Sequence, residues 1–322
     1  MNYLDLIKDA FWITLRNRYL WFFGFFAGGG GGVSNFSLPS GSGDFDVENG
    51  RQASAAPVLA AQQTALDNVA LIVALVVLVL LILLVFVILF LISQGALAES
   101  VAAVDRGERR RFSSAWRAGV SNFWPVLGQV LLFILIGAGL LLVIAIPVVA
   151  LILGIFATDS TGLQILFAVL AGLIAIVLLI VVFIPLSVIA QFALRELVVG
   201  GERVFASIEG GYRLFRRNLG RSLLIWLIQL VLMFVAGIAL VTALLIVLFV
   251  LFIPTIILAV AEYATAAILT GVIAGLAGLI LLLLLLVAFG ILGTFNHSYW
   301  TLAYLRLSTP AGGAAPQAGQ GA

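Results

Sequence analysis

The stretch VALIVALVVLVLLILLVFVILFLISQGALAES, from Val69 to Ser100, decides the fold. A helix crosses a hydrocarbon core of about 30 Å with about 20 apolar residues. Val69–Ile92 meets that length without a single charge. The run closes on a polar signature, Gln94-Gly-Ala-Leu-Ala-Glu99. The same Gln-x-Ala-Leu-x-Glu signature closes a second apolar run, in QFALREL from Gln191 to Leu197. A phenylalanine stands eight residues before each glutamine, Phe86 and Phe183. One stretch therefore raises both a membrane span and a repeat.

Four further runs are long enough to cross: Val126–Phe156, Leu163–Ile189, Leu223–Ala259 and Ala266–Phe295. Several exceed a minimal span, so they must tilt, kink or project, with Pro147, Pro185 and Pro254 as expected kink points. Composition agrees. The chain is 64% apolar and 9% charged, with mean hydropathy +1.27, whereas soluble domains are about 45–50% apolar and about 25% charged. The fold class is all-α and polytopic. Phe11 to about Gly30 reads as a sixth span, with an interfacial helix as the alternative. Six spans make three hairpins.

Charge placement sets the topology. All but Arg51 of the sixteen basic residues fall around Lys8–Arg18, Arg106–Arg117, Arg195–Arg221 and Arg306. The other connections carry Asp44, Asp46, Glu48, Asp67, Asp159 and Glu262. Lys and Arg favour the cytoplasmic side, so both termini are expected there, which requires an even number of spans. Gly28 to about Asn68 reads as a flexible Gly/Ser-rich outer loop, and 308–322 as a disordered cytoplasmic tail.

A glycine break follows each signature, at Gly107 and at Gly200-Gly201, and then a basic amphipathic stretch: FSSAWRAGVSNFWPVL from Phe112 and FASIEGGYRLFRRNLG from Phe205. Phe112, Trp116, Gly119/Val120 and Phe123 recur at helical spacing, as do Val204, Ile208, Tyr212, Phe215 and Leu219. Each stretch is expected to lie on the membrane surface with that face down. Leu4, Ile7, Phe11 and Leu15 form a similar stripe, capped by Asn2 with Asp5 in the first turn. The unit is surface helix, span out, span in. It predicts a single membrane domain, 1–307, of three parallel units at about 2–105, 106–199 and 200–307, related by rotation about the membrane normal. In the last unit His297 stands for the glutamine and Leu302 for the glutamate.

FSSAWRAG…FWPVL and FASIEGGYRLFRRNLGRSLL resemble the membrane region of bacterial glycerophosphoryl diester phosphodiesterases and related polytopic proteins of unknown function. The soluble barrel and His-Arg-Gly-type catalytic motif of those enzymes are absent here. The resemblance implies a prokaryotic plasma-membrane module, not that activity.

Little reactive chemistry is on offer. The chain has no cysteine and one histidine, which removes thiolate chemistry and multi-His metal sites. Gly28–Gly32 lacks the Gly-Lys-Ser/Thr of a phosphate loop. No catalytic residue, metal or cofactor is expected. His297 reads as structural or solvated, and Tyr299, Trp300 and Tyr304 as an aromatic belt. Gln129, Gln164, Gln229, Thr242, Thr255 and Thr270 are expected to bond between helices, and Ala267, Gly271 and Gly275 to allow close helix packing. The basic clusters Arg109, Arg110, Arg111, Arg216, Arg217 and Arg221 follow the positive-inside pattern and suit anionic lipid head groups. Their juxtamembrane position speaks against nucleic acid. Glu99 and Glu196 are expected to latch spans to surface helices through arginines such as Arg117, Arg213 or Arg217. The chain is thus expected to be a non-enzymatic membrane module, associated with anionic lipid or a membrane protein partner. The alternative is an uncoupled channel or transporter along the repeat axis.

Overall fold

The computed structural model describes residues 2–29, 69–261 and 263–309. Among these residues there is no strand. In chain order the helices are α1 (Tyr3–Arg16), α2 (Leu20–Gly24) running into a π-helical turn (Phe25–Gly29), and α3 (Val69–Asp105). Then come α4 (Phe112–Ser121), α5 (Phe123–Phe156), α6 (Thr161–Val198), α7 (Val204–Arg217), α8 (Leu219–Val260) and α9 (Ala264–Ser308). Of these, α3, α5, α6, α8 and α9 are long and apolar enough to cross a membrane. The protein is a multi-pass membrane protein.

The three short helices α1, α4 and α7 gather at one end of the spans, here called the base. α1 opens on the expected cap: the Asn2 side chain accepts from the Leu4 N–H at 3.2 Å. All three end on asparagine. Asn17, Asn122 and Asn218 each turn the side-chain amide back onto the carbonyl four residues earlier, at 2.9, 2.8 and 3.3 Å. The backbone N–H of each reaches the same carbonyl. Those carbonyls have run out of helical donors, so the asparagine closes the helix and frees the chain to turn. α5 and α8 start at the next residue after theirs, and α2 shortly after Asn17. The breaks before α4 and α7 hold Gly107 at φ 84° and Gly201 at φ 69°, left-handed conformations that favour glycine.

α4 packs on the end of α3, and α7 on the end of α6, the spans that precede them. α1 packs on the end of α9, so the ring closes. The ends of α3, α6 and α9 also meet one another. Buried residues concentrate here, including Leu97, Phe192, Tyr299 and Trp300. Towards the other end the spans are bare: no more than 11% of the most apolar window of any of them is buried within the chain. Lipid is as apolar as leucine, so it gives no hydrophobic drive for helix association. Close packing follows the small and polar residues of the base, whereas a Cβ on span glycines such as Gly139, Gly172, Gly237 and Gly278 would meet nothing within 4 Å.

Several expectations change. The expected first span, Phe11 to about Gly30, is not one helix. Asn17 ends α1, and the ten helical residues of α2 and its π turn would rise only about 15 Å. That piece wedges between α3 and α9: a Cβ on Gly24 would overlap the Gly290 carbonyl and Thr294, and one on Gly290 would meet the Trp21 carbonyl. The short helices turn mostly small residues toward the protein, with Gly119 and Phe215 the buried members of the apolar stripes. Buried positions are Leu6, Ala10 and Thr14 in α1, Ala115, Ala118 and Gly119 in α4, and Ser207, Gly211 and Phe215 in α7. Gly119 lies against the Ile92 carbonyl, and Gly211 against Ala193 and the Ile189 carbonyl. Ile92 and Ile189 each stand two residues before the signature glutamine. Phe11, Trp12, Phe112, Phe205 and Tyr212 point outward instead.

Tyr299, Trp300 and Tyr304 form no lipid-facing belt. They are buried because the end of α9 is central; the Tyr299 hydroxyl donates to the Ile225 carbonyl at 3.1 Å, and Trp300 meets Phe192 edge-on at 5.8 Å. In the Gly271/Gly275 pair only Gly271 faces a neighbour, Thr255 of α8. Helices α5, α6 and α8 continue through Pro147, Pro185 and Pro254. The acidic positions Asp44, Asp46, Glu48, Asp67 and Glu262, with Arg51, lie outside the described residues, as do nearly all of the 28–68 loop and the tail beyond Thr309.

Candidate functional site

Where α3, α6 and α9 meet, the signature residues build a polar node. Arg195 of α6 has no exposed surface. Its Nη1 donates to the Gln191 carbonyl at 2.9 Å and to the Gln191 side-chain oxygen. Its Nε reaches Thr301 Oγ1 at 3.4 Å, and its Nη2 lies 3.3 Å from His297 Nδ1. On the other ring nitrogen, His297 Nε2 lies 3.4 Å from the Ala27 carbonyl, which also accepts from Gln94 Nε2 at 3.0 Å. The guanidinium can only donate, so Nδ1 accepts and the proton sits on Nε2, facing Ala27. The π turn supplies the acceptor, because carbonyls at a helix end lack intrahelical donors.

Every partner of Arg195 is neutral. Among the described residues no carboxylate lies within ion-pair reach of it. The expectation that Arg195 belongs to an exposed basic connection is therefore corrected: it stands three residues inside the end of α6 and faces the centre. A buried, unpaired charge costs several kcal/mol even after relaxation. The signal was in the signature itself. Arg195 occupies the position that holds Ala98 in the first copy, and Thr301 follows His297 by the same four residues.

The two signature glutamates sit one residue beyond. Glu99 lies 3.5 Å from Arg110 and 3.5 Å from the Asn122 side-chain nitrogen. Arg110 belongs to the connection before α4, not to a surface helix, and it also holds Glu108 at 3.1 Å. Bonds from Arg106 and then Arg110 keep the Glu108 carboxyl below the usual carboxylate range. Glu196 makes no ion pair with Arg117, Arg213 or Arg217. Its Oε2 accepts from the Tyr304 hydroxyl at 2.5 Å, and its side chain lies over Gly210 of α7. The latch is thus an ion pair at Glu99 and a neutral donor at Glu196. At Leu302, the third equivalent, the side chain is buried. α1 is instead tied to α9 by Asp9 and Arg306.

Glu196 opens into a recess of about 350 Å³ lined also by Glu202, Arg213, Leu214, Arg217 and Ser308. Arg213 pairs with Glu209 at 3.3 Å, both largely exposed. Around the rim, Arg109, Arg111, Arg216, Arg217 and Arg221 are exposed, while Arg110 is the half-buried member held by Glu99 and Glu108.

The polar residues of the spans do less than expected between helices. Gln229 donates to Asn296 across α8 and α9 at 3.0 Å. Gln164 donates to the Thr158 carbonyl in the connection before α6, and Thr270 to carbonyls of its own helix. Gln129 Oε1 and Thr255 Oγ1 are buried without a partner, and Thr242 is exposed. Among the described residues no group of three His, Asp or Glu side chains gathers to hold a metal.

Residues 18–311 match the family of unknown function DUF7544, and the chain belongs to that family. No curated protein and no solved structure matches it.

Proposed function

We propose that this protein is a non-enzymatic module of a prokaryotic plasma membrane whose base faces the cytoplasm and gathers anionic lipid head groups. One observation carries the reading. Phe205 and Tyr212 of α7 are exposed beside the exposed Arg216 and Arg217, and Phe112 of α4 is exposed beside Arg111 and Arg117, while Phe215 and Trp116 pack toward the core. Aromatic side chains favour the head-group level, and basic side chains there attract anionic lipid.

The arrangement supports three parallel units, 2–105, 106–199 and 200–307: three asparagine closures, two left-handed glycine breaks and a ring in which α1 docks on α9. The Asp9–Arg306 pair ties α1 to the end of α9, which supports a reading with both termini on one side. A channel along the axis is disfavoured, since Leu97, Phe192 and Trp300 occupy the space where the inner spans meet. A membrane protein partner would have to compete with lipid for the same outward aromatics.

The test is a titration of the detergent-solubilised protein with short-chain phosphatidylglycerol, with bound lipid counted by native mass spectrometry. Each arginine near an anionic surface is worth about 1 kcal/mol, or roughly fivefold. Replacing Arg216, Arg217 and Arg221 together by glutamine should weaken binding on the order of 100-fold. Unchanged lipid occupancy in that variant would remove the reading.

A further inference from the structure

The recess beside Glu196 differs from the rest of the base: it holds both signs of charge and leaves them unpaired across the gap. Two carboxylates, Glu196 and Glu202, and two guanidiniums, Arg213 and Arg217, line one cavity of about 350 Å³. No ion pair joins either glutamate to either arginine. Each group is available. The Tyr304 hydroxyl occupies only Oε2 of Glu196, and Oε1 points to Gly210, where a Cβ would come within 3.2 Å. Any side chain at position 210 would crowd this carboxylate. Glu202 and Arg217 are exposed. The Arg213–Glu209 pair is 73% and 75% exposed, so exchanging it costs little.

We infer that this recess binds an aminoalkyl phosphate group, with the phosphate on Arg217 and Arg213 and a primary ammonium on Glu196 and Glu202. The planar arginine fork suits phosphate oxygens, and an ammonium offers three donors to carboxylate oxygens. The four side chains are formally neutral together, which matches a zwitterion rather than an anion. The volume lies at the small end of ligand cavities, fitting a head group without its tails. Such a group comes either from an ethanolamine phospholipid or from a free aminoalkyl phosphate. The inference rests on the lipid reading above only for the first source.

The experiment measures binding of short-chain phosphatidylethanolamine, phosphatidylglycerol, phosphatidylcholine and free O-phosphoethanolamine to the full chain in detergent. The variants are Glu202→Gln and Arg217→Gln, both at exposed positions. The expected result is at least tenfold preference for phosphatidylethanolamine over phosphatidylcholine, whose trimethylammonium cannot donate. Glu202→Gln should erase that preference, and Arg217→Gln should weaken both aminoalkyl ligands. Binding of free O-phosphoethanolamine without the lipid supports the same chemistry with a soluble source. Equal binding of ethanolamine and choline lipids, or a preference that survives Glu202→Gln, overturns the inference while leaving phosphatidylglycerol binding at the rim intact. Loss of phosphatidylglycerol binding in an Arg216→Gln, Arg221→Gln variant, which keeps Arg217, with ethanolamine-lipid binding and its preference unchanged, marks the two sites as separate and supports the recess.

Discussion

Replacing Arg195 by methionine should leave the protein about as stable as before, whereas alanine should not. The guanidinium makes its bonds to Gln191, Thr301 and His297 and has no counter-charge. Removing it leaves the Gln191 side-chain oxygen and His297 Nδ1 without a donor, at about 1–3 kcal/mol each. The Thr301 hydroxyl keeps its bond to the His297 carbonyl at 2.8 Å. Against that loss stands the relief of desolvation, several kcal/mol for a buried charge. Methionine keeps most of the packing, so the opposing effects should cancel to within about 2 kcal/mol. Alanine adds a cavity, at about 2–5 kcal/mol for large-to-small changes in a core. At about 2–4 °C per kcal/mol, Arg195→Met should melt within about 8 °C of the parent in detergent, and Arg195→Ala roughly 4–20 °C below Arg195→Met. Intrinsic fluorescence against temperature reads both. If methionine lowers the melting temperature as far as alanine, the charge itself stabilises the node and a counter-ion must sit there.

Other outcomes follow from single contacts. Asn122→Ala should cost more than Asn17→Ala or Asn218→Ala, each about 0.5–1.5 kcal/mol, because Asn122 alone also touches Glu99; urea unfolding in mixed micelles ranks them. Gly119→Ala should destabilise strongly through its clash with the Ile92 carbonyl, while Gly275→Ala, with nothing within 4 Å, should be neutral or better on helix propensity. Thermal melts of the pair separate close packing at the base from glycine content in the spans. Since the chain has no cysteine, single cysteines at positions 110, 159 and 217 can be probed with an impermeant thiol reagent in intact cells; only 159 should label. Glu108, held below the usual carboxylate range, should support its connection above the ordinary carboxylate pKa and lose that support as pH falls through its lowered value. Amide-exchange protection at Gly107–Arg111, relative to the intrinsic rate at each pH, should then fall on acidification, and not in Glu108→Gln.

The spans were legible because apolar length is a one-dimensional signal: a run such as Val69–Ile92 needs no partner to be recognised. The boundaries of the base helices were legible for a similar reason, since the glycine breaks and arginine stretches punctuate the chain locally. Three things were not. The break at Asn17 is hidden because Tyr19–Ala27 is apolar enough to extend a span, and only the close contact of Gly24 with Gly290, far away in sequence, shows why it does not. The inward faces of α4 and α7 went unread because the large apolar stripes mark the side expected to meet the membrane and leave the protein-facing side without a periodic signal of its own. Beside a membrane they can face lipid, and small residues such as Gly119 and Gly211 mark the packed side. Arg195 was counted with an exposed connection because it lies next to one. Only the register of the signature, which puts Arg195 where the first copy has Ala98, points to the centre.

That register suggests why the copies differ where they do. On the three-unit reading, Gln94, Gln191 and His297 are one position, and Ala98, Arg195 and Thr301 another. Residues near a rotation axis meet their own equivalents, so an ionisable group there cannot be repeated. Three guanidiniums would repel one another at contact distance in a medium that screens poorly. One arginine with an alanine and a threonine as its counterparts avoids this, and a histidine in place of a third glutamine supplies the acceptor that Arg195 Nη2 uses. Away from the axis equivalents do not meet, and there the copies agree: asparagine closes all three base helices, and glycine breaks the chain before α4 and α7. Divergence at the centre and agreement at the rim are what a duplicated membrane module needs to pack a single polar node. They place the one-of-a-kind chemistry of this chain at Arg195 and at the Glu196 recess beside it, rather than in the apolar spans.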